Sequence, residues 1–301
     1  MAQRIKHAKM PRVDEVGMKF SLVLGTMGRS SELQRFLHSL AQQTHSALQL
    51  IIVDQNQDDR VTEVLKRVQL DFEVHHIRTT PGLSHARNVG MRVADGDVIA
   101  FPDDDCWYSP NLLKEVDDIL STAPHLDGVT GSSWDENGRP SGGRLAAKSG
   151  SIGLFDVWAK GISYTIFLRK EVCDAVGEFD ETLGVGAGTA YGSGEETDYL
   201  IRALKAGKQL SYYSQLKVFH PNKDEDRSAE KSYKYGAGMG RVLRKHRYPL
   251  LFRITSVLKP AMGSALAVLG VDRPLVQVRW SRCVGRAAGM MSRDLTGLTQ
   301  R

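Results

Sequence analysis

The chain has 301 residues, 41% of them hydrophobic and 25% charged, which is typical of a folded globular protein with a sizeable core. Its net charge of +5 is uneven: residues 1–226 carry 25 Lys/Arg and 32 Asp/Glu, a net of −7, whereas residues 227–301 carry 15 and 3, a net of +12. The basic balance therefore belongs to the last quarter of the chain. No DNA- or RNA-binding motif accompanies it, so we expect no nucleic-acid partner.

The cysteines and the hydropathy pattern bear on the cellular compartment. Cys106, Cys173 and Cys283 are widely spaced and form no CxxC pair, which favours a reduced cytosolic protein over a disulfide framework. The first 13 residues are basic without an apolar core, so we expect no secretory signal there. The most apolar stretch, Leu250–Val271, is interrupted by two cations and a proline, so we predict no membrane span.

Short apolar segments alternate with helical patterns along the first hundred residues. The predicted strands are Phe20–Leu24, Leu48–Val53, Phe72–Ile77 and Val98–Phe101, and the predicted helices begin near Ser30, Asp59 and Ser84. This alternation predicts an α/β fold, with a mostly parallel central sheet and helices on both faces. Neither a Rossmann glycine fingerprint nor a Walker A sequence follows the first strand, so a different phosphate anchor is needed.

Further elements are predicted beyond Pro110, with less regular spacing. They are a helix to about Leu120, a strand at 128–130, a long loop over 131–153, a strand at 161–168, a helix at 169–176, a glycine-rich segment at 184–194, a helix opening at Glu195 and an edge strand at 209–213. The glycine-rich segment is typical of a mobile lid beside a site, although a simple linker has the same composition.

Three consecutive carboxylates, Asp103, Asp104 and Asp105, follow the fourth strand, which Pro102 ends. Open α/β sheets place their ligands at this end of the strands. Three like charges repel one another unless a cation or hydrogen-bond donors compensate, and Mg²⁺ or Mn²⁺ commonly bridges carboxylates to substrate phosphates. We therefore predict a metal-assisted phosphate site here, in preference to a solvated acidic turn.

Several motifs occur in a characteristic order around this triplet. They are Thr26-x-x-Arg29 after the first strand, Asp54 at the end of the second, Leu83–Gly90, the triplet itself, Phe167–Glu171 with Gly177–Glu181, and Gly194–Leu200. Together they resemble family-2 glycosyltransferases with the GT-A fold, over about residues 20–220. We accordingly expect an N-terminal extension over 1–18, a catalytic domain over 19–226 and a basic helical C-terminal region over 227–301.

The resemblance implies a role for each motif residue. Nucleotide-sugar binding would involve Thr26, Arg29, Asp54, Arg87, Asp103 and Asp104, with Asp54 contacting the base, usually uracil; Asp105 and His220 would bind the metal, Mg²⁺ or Mn²⁺. Ordinary structural roles stay open for several of them: a turn or helix cap for Asp54, a turn for Thr26, a surface charge for Arg29, an exposed helix position for Arg87 and a purely structural His220.

A second carboxylate cluster, Glu195, Glu196 and Asp198, opens a predicted helix. Carboxylates also stabilise helix N-termini through the helix dipole, so capping is an alternative to catalysis. The resemblance implies that one of them deprotonates the acceptor hydroxyl in a single, inverting displacement. Since the family pattern is usually Glu-Asp and Glu196 occupies the Asp position, we expect Glu196 to be the base, with Glu195 and Asp198 as alternatives.

The basic C-terminal region has the pattern of amphipathic helices, which bind anionic membrane surfaces. A helical subdomain or an oligomer interface are alternatives. We thus expect a metal-dependent inverting glycosyltransferase, moving a sugar from a nucleotide-diphosphate donor such as a UDP-sugar to a glycan or lipid-linked saccharide. We expect it to act in the cytoplasm, at the inner face of the cell membrane, and to take part in bacterial surface polysaccharide synthesis. Alternatives are a sugar-phosphate nucleotidyltransferase and a non-catalytic sugar-nucleotide-binding scaffold.

Overall fold

A computed structural model describes residues 3–5, 17–142, 148–222, 228–269 and 273–292. The chain divides into two compact units, one formed by 1–179 and 196–222 and the other by 180–195 and 223–301. Most of the predicted N-terminal extension, and parts of the predicted 131–153 loop and of the C-terminal region, lie outside the described residues. The domain boundaries expected at residues 18 and 226 stay predictions.

The first unit contains the sheet. Its elements in chain order are β1 (Gln3–Ile5), β2 (Phe20–Thr26), α1 (Ser31–Ala41), β3 (Leu48–Asp54), α2 (Arg60–Leu65), β4 (Glu73–Arg78), α3 (Leu83–Met91), β5 (Val98–Ala100), β6 (Trp107–Tyr108), α4 (Leu112–Thr122), β7 (Gly128–Trp134), β8 (Gly150–Ser151), α5 (Val157–Lys160), a 3-10 helix (Ser163–Thr165), β9 (Ile166–Arg169), α6 (Lys170–Val176), α7 (Glu195–Lys205) and β10 (Leu210–Phe219).

The described strands form one sheet in the order β1-β4-β3-β2-β5-β9-β7-β10-β6, and β8 pairs with β10. Strands β4, β3, β2 and β5 are mutually parallel, as are β7 and β10. Strand β9 runs antiparallel between β5 and β7. The predicted α/β fold with a mostly parallel centre is therefore confirmed, and the triplet follows β5 at the edge where parallel strands place ligands.

The central strands form where consecutive residues are apolar, so that both faces of each strand can be buried. All seven residues of β3 are buried, as expected for a strand covered by helices on each side. Helix α1 buries Leu33, Phe36, Leu37 and Leu40, which share one face. A Cβ at Gly90 of α3 would lie 2.4 Å from Val23 Cγ1 of β2, so a glycine is needed for this helix to approach the sheet.

Two predictions about later elements are wrong. The predicted edge strand at 209–213 is the start of a ten-residue interior strand, β10, with β7 on one side. Two-residue strands pair along it as well, β8 at Ser211 and Tyr212 and β6 at Val218 and Phe219, and strands this short are not recognised in the sequence. The predicted loop over 131–153 begins as strand, since β7 continues to Trp134. Its small polar residues resemble a loop, yet Ser132 Oγ donates to Ser214 O at 2.8 Å within the sheet.

The C-terminal region forms three helices, α8 (Ala229–Lys245), α9 (Leu250–Leu269) and α10 (Arg273–Met291), which confirms its predicted helical character. Helices α8 and α10 each carry two glycines four residues apart on the contacting face. A Cβ at Gly236, Gly240, Gly285 or Gly289 would lie 2.4 Å or less from a backbone oxygen of the facing helix. The two helices therefore pack backbone against backbone, and larger residues do not fit there.

Helix α9 contains Pro260, which has no N–H to donate to Ser256 O four residues earlier. The guanidinium of Arg286 on α10 donates to that carbonyl instead. Burial and the neighbouring Arg282 lower the pKa of Arg286 to about 10, which still leaves it charged at neutral pH. The proline is thus tolerated because α10 supplies the missing donor. Within the described residues, no helix combines the length and the apolarity needed to cross a bilayer.

The segment suggested as a lid belongs to the same unit as these helices. Gly192 N donates to Lys234 O at 3.1 Å, and Ser193 Oγ donates to Tyr235 O at 2.9 Å. Lys245 Nζ and Asp180 Oδ2 are 2.7 Å apart, just before the segment begins. The chain is therefore held to α8 near the end of the 184–194 segment and at Asp180 before it, and motion of the segment as a lid stays a prediction.

Candidate functional site

The carboxylates of the triplet lie at the carboxyl end of β5 in two different environments. Asp104 and Asp105 are buried, whereas Asp103 is half-buried and its backbone bridges to Gly25 at the end of β2. Asp103, Asp105 and His220 each offer one ligand atom within 4.8 Å of the others. His220 Nε2 is 3.2 Å from Asp105 Oδ1, so the residue predicted as a metal ligand reaches the triplet from the end of β10.

These three side chains fit a divalent cation. Carboxylate oxygens with one imidazole nitrogen are donors that Mn²⁺ and Mg²⁺ accept. Burial raises the pKa of Asp103 to about 6, with Arg87 opposing and Asp105 adding to the shift. A cation held between the carboxylates would favour their ionised forms, so it would supply the compensation that the cluster needs.

Thr26 and Arg29 lie directly beside the triplet. Thr26 Oγ1 donates to Asp104 Oδ2 at 2.7 Å. The Arg29 guanidinium contacts Asp104 and lies 2.9 Å from Asp105 Oδ2. Burial alone would lower the pKa of Arg29, but the two carboxylates raise it, so this cation is firmly retained. The turn after β2 therefore partly neutralises two of the three carboxylates.

Arg87 is not an exposed helix residue, because its side chain is only 1% exposed. It extends from α3, donates to Ser163 Oγ, and lies 3.4 Å from Asp103 Oδ1. Its guanidinium also lies 5.4 Å from the ring centre of Phe179. A buried cation of this kind is costly unless anions or aromatic rings compensate, so its place beside Asp103 supports an electrostatic role in the site.

His220 is oriented by a residue that sequence reasoning missed. Its ring stacks on Tyr164, with ring centres 4.7 Å apart and planes 5° from parallel. The Tyr164 hydroxyl forms a 2.8 Å hydrogen bond with Ser133 Oγ of β7. No sequence pattern marks Tyr164, because it approaches His220 only through the pairing of β7 with β9 and β10.

Arg35 and Trp107 support the other side of Asp105, and both were also missed. Arg35 Nη2 donates to the backbone oxygen of Asp105 at 3.2 Å, while its guanidinium lies 3.8 Å from the ring centre of Trp107. Trp107 in turn stacks on Phe219 of β10, at 5.6 Å. These contacts fix the backbone that presents the Asp105 carboxylate.

Asp54 is fully buried at the end of β3, in register with Thr26 of β2. Its Oδ1 accepts from Asn56 N at 2.9 Å and Asn56 Nδ2 at 2.7 Å, and its Oδ2 lies 2.9 Å from His76 Nε2. Burial raises its pKa, but the bonds from His76 and Asn56 outweigh this and lower it. Asn56 Oδ1 also accepts from Gly28 N at 2.7 Å, so Asp54 organises the loop beside Arg29. Contact with a nucleotide base stays a prediction.

The three carboxylates of α7 differ in burial. Asp198 is fully buried, and its Oδ2 accepts from Arg202 Nε at 3.0 Å. Arg202 also donates to Val176 O and Glu178 O, each at 2.8 Å, so Asp198 joins α7 to the end of α6. Glu195 is buried, whereas Glu196 is half-buried and keeps solvent access. The choice of Glu196 as the base stays a prediction.

Comparison with known proteins agrees with this geometry. Residues 21–168 match the sequence profile of glycosyl transferase family 2. These residues form a family-2 glycosyltransferase domain. An uncharacterized glycosyltransferase of Haemophilus influenzae is 32% identical over 107 residues, which is 36% of each chain. The matched segments span 36%, 54% and 62% of the first three curated relatives.

Solved structures share the fold of this family-2 domain. Residues 1–349 of TarS from S. aureus, in complex with UDP, give a TM-score of 0.58 at 15% identity, over 89% of this chain and 90% of TarS 1–349. A mannosyltransferase from Pyrobaculum calidifontis, in complex with GDP-Man and Mn²⁺, gives a TM-score of 0.64 at 11% identity, over 91% of this chain and 88% of the mannosyltransferase chain. These likenesses establish the GT-A fold.

Proposed function

We propose that this chain is a metal-dependent, inverting glycosyltransferase that uses a nucleotide-diphosphate sugar, with UDP as the nucleotide. The observation that carries the proposal is the cluster of Asp103, Asp105 and His220, with Arg29 beside it, at the carboxyl end of β5 in a family-2 domain. The named complexes of similar folds, with UDP, UDP-GlcNAc and GDP-Man with Mn²⁺, support this donor class.

Asp103, Asp105 and His220 would hold the cation, which when bound neutralises negative charge on the departing diphosphate. Arg29 and Arg87 add fixed positive charge on either side of the carboxylates. Preorganised cations of this kind stabilise a leaving anion without rearranging during the reaction. Tyr164 keeps the His220 ring in place. The nucleoside portion would lie toward the Asp54 loop, which Asn56 connects to Gly28.

Glu196 would act on the acceptor. Its carboxylate takes the proton of the acceptor hydroxyl as that oxygen bonds to the anomeric carbon, and the bond from this carbon to the diphosphate oxygen breaks. Attack from the face opposite the leaving group inverts the anomeric centre. Asp198 is disfavoured as the base because Arg202 already occupies it, and Glu195 is disfavoured because it is buried.

We further propose a glycan or lipid-linked saccharide as the acceptor, in surface polysaccharide synthesis at the cytoplasmic face of a bacterial membrane. The similarity to a poly(ribitol-phosphate) β-N-acetylglucosaminyltransferase, TarS, 27% identical over 103 residues, supports a polymeric acceptor. The basic C-terminal helices support a location beside an anionic surface.

Calorimetric titration with UDP, with and without Mn²⁺, tests the proposal. We expect binding that requires Mn²⁺ in the wild type, is lost in Asp105→Ala, and is retained in the matched control Asp118→Ala, whose side chain is exposed on α4. Preferential binding of GDP or dTDP would change the donor and keep the mechanism. Absence of binding by any nucleoside diphosphate, with or without metal, would overturn it.

A further inference from the structure

Helix α9 exposes a continuous apolar stripe. The side chains of the stripe are Leu250, Leu251, Ile254, Leu258 and Met262, between 45% and 74% exposed. At 3.6 residues per turn they fall within an arc of about 120°. Ser256 lies on the opposite side of the helix, where it is buried and its carbonyl meets Arg286 of α10. Packing against α10 therefore directs the stripe away from that helix.

Cations border the stripe on both sides. Arg253 and Lys259 lie about 60° beyond its two edges at the same helical spacing, and Lys259 is exposed. Residues 231–271 contain eight Lys/Arg and no Asp/Glu. An apolar stripe flanked by cations is the pattern of a helix that lies in the plane of a membrane interface, with its apolar face among acyl chains and its cations among headgroups.

Helix α10 carries a second, shorter exposed stripe in the same unit. Trp280, Val284 and Met291 lie on one face, within an arc of about 40°, opposite the glycines that contact α8. Tryptophan is enriched where proteins meet the headgroup layer. The exposed apolar surface of this unit is thus distributed over two helices and includes a residue type that favours membrane interfaces.

We propose that the α9 stripe, Leu250, Leu251, Ile254, Leu258 and Met262, is a docking surface for an anionic lipid bilayer. A second copy of this chain fits the surface less well, because pairing two such faces would bring cations against cations. An anionic bilayer complements both the stripe and its border. This deepens the acceptor side of the proposed function, yet vesicle binding and UDP binding are separate readouts, so either can fail without the other.

Vesicle sedimentation with the full chain tests the surface. The probes are vesicles of phosphatidylcholine alone and vesicles with about 30% phosphatidylglycerol. We expect binding to the anionic vesicles that weakens at least tenfold between about 0.05 M and about 0.5 M salt, and weak binding to the neutral ones. The triple variant Leu251→Gln/Leu258→Gln/Met262→Gln should lose at least tenfold in affinity. The variant Arg247→Gln/Lys259→Gln replaces the exposed cation just before α9 and the exposed cation at the edge of the stripe, and it should lose several-fold in affinity and show a weaker salt dependence.

The matched control is Val93→Gln/Leu154→Gln/Phe155→Gln, which replaces three exposed apolar side chains of the first unit and should bind vesicles like the wild type. Because every position is exposed, all variants should fold. Circular dichroism on heating checks this for the second unit, and unchanged UDP affinity checks it for the first. The proposal would be overturned if the wild-type protein did not bind anionic vesicles, or if the stripe variant bound them as the wild type does. It would also be overturned by a wild-type dimer in sedimentation equilibrium that the stripe variant converts to a monomer without any vesicle binding.

Discussion

In the first unit, the buried carboxylates of Asp104 and Asp105 share one guanidinium, that of Arg29, whereas in the second unit residues 231–271 carry eight cations and no acidic residue at all. The carboxylates of the site thus form one small cluster of negative charge, whereas positive charge is spread along the helices of the second unit. Concentrated charge is stabilised by a compact counterion, such as a divalent cation. Distributed charge suits an extended anionic surface. The two units are therefore suited to different ligands, and variants can separate them.

The largest effect should come from removing one charge of the acidic cluster. Asp105→Asn keeps the shape of the side chain but removes a proposed metal ligand, so we expect sugar transfer to fall at least 1,000-fold, about 4 kcal/mol in transition-state stabilisation. Thermal unfolding should shift by less than about 3 °C, since one of three repelling carboxylates is lost. Turnover near the wild-type level would show that the cluster is not the metal site.

Replacing the proposed base should leave the nucleotide site intact. Glu196→Gln should lower kcat by about 100- to 1,000-fold while the affinity for UDP and Mn²⁺ stays unchanged, because general-base catalysis contributes on that order. Asp198→Asn serves as the comparison: it should mainly reduce stability, since it leaves Arg202 without its buried charge partner. Loss of kcat in the Asp198 variant with normal turnover in the Glu196 variant would reverse our assignment.

The second unit should be destabilised independently of the first when a side chain is introduced at one of the glycines where α8 contacts α10. A Cβ at Gly240 would lie 2.2 Å from Arg286 O, so Gly240→Leu should destabilise the packing of α8 on α10 by about 3 kcal/mol. Circular dichroism on heating, together with limited proteolysis of the C-terminal region, would detect this. UDP binding should persist. The control Gln277→Leu, at an exposed position of α10, should change stability by less than about 0.5 kcal/mol.

A smaller effect is expected from the residue that orients His220. Tyr164→Leu removes the ring that stacks on the imidazole, so Mn²⁺ affinity measured by electron paramagnetic resonance should fall about tenfold. Tyr164→Phe keeps the ring and loses only the hydrogen bond with Ser133, so it should stay within about threefold of the wild type. Equal losses in the two variants would argue against positioning by stacking.

Acidity should weaken metal binding through Asp103. Burial raises its pKa to about 6, so below that pH the carboxyl is protonated and must release its proton before it can bind a cation. Mn²⁺ affinity should therefore rise up to tenfold per pH unit until about pH 6 and level off above it. Asp103→Asn should bind Mn²⁺ more weakly and remove this part of the pH dependence. An unchanged pH profile in that variant would assign the titration to another group.

Sequence reasoning could find the side chains that follow strands directly. The resemblance to family-2 glycosyltransferases pointed to Thr26 and Arg29, and they meet the Asp triplet because parallel strands end at one edge of the sheet. Sequence reasoning could not find Tyr164, Trp107 or Arg35, whose roles depend on how β6, β7, β9 and β10 are ordered. The sequence shows the paired glycines of α8 and α10, but it does not show that the two pairs lie against each other's helix. Arg286 replaces the hydrogen bond lost at Pro260, which only the packing reveals.

The most direct test of whether the triplet is a metal-assisted glycosyl-transfer site is to measure the release of UDP from UDP-sugars in the presence of Mn²⁺. With wild-type protein and a panel of UDP-sugars, we predict release with at least one sugar that stops when Mn²⁺ is chelated and is absent in Asp105→Asn. GDP- and dTDP-sugars extend the panel if every UDP-sugar is inert. Release that persists without metal, or that Asp105→Asn supports at the wild-type rate, would contradict this account.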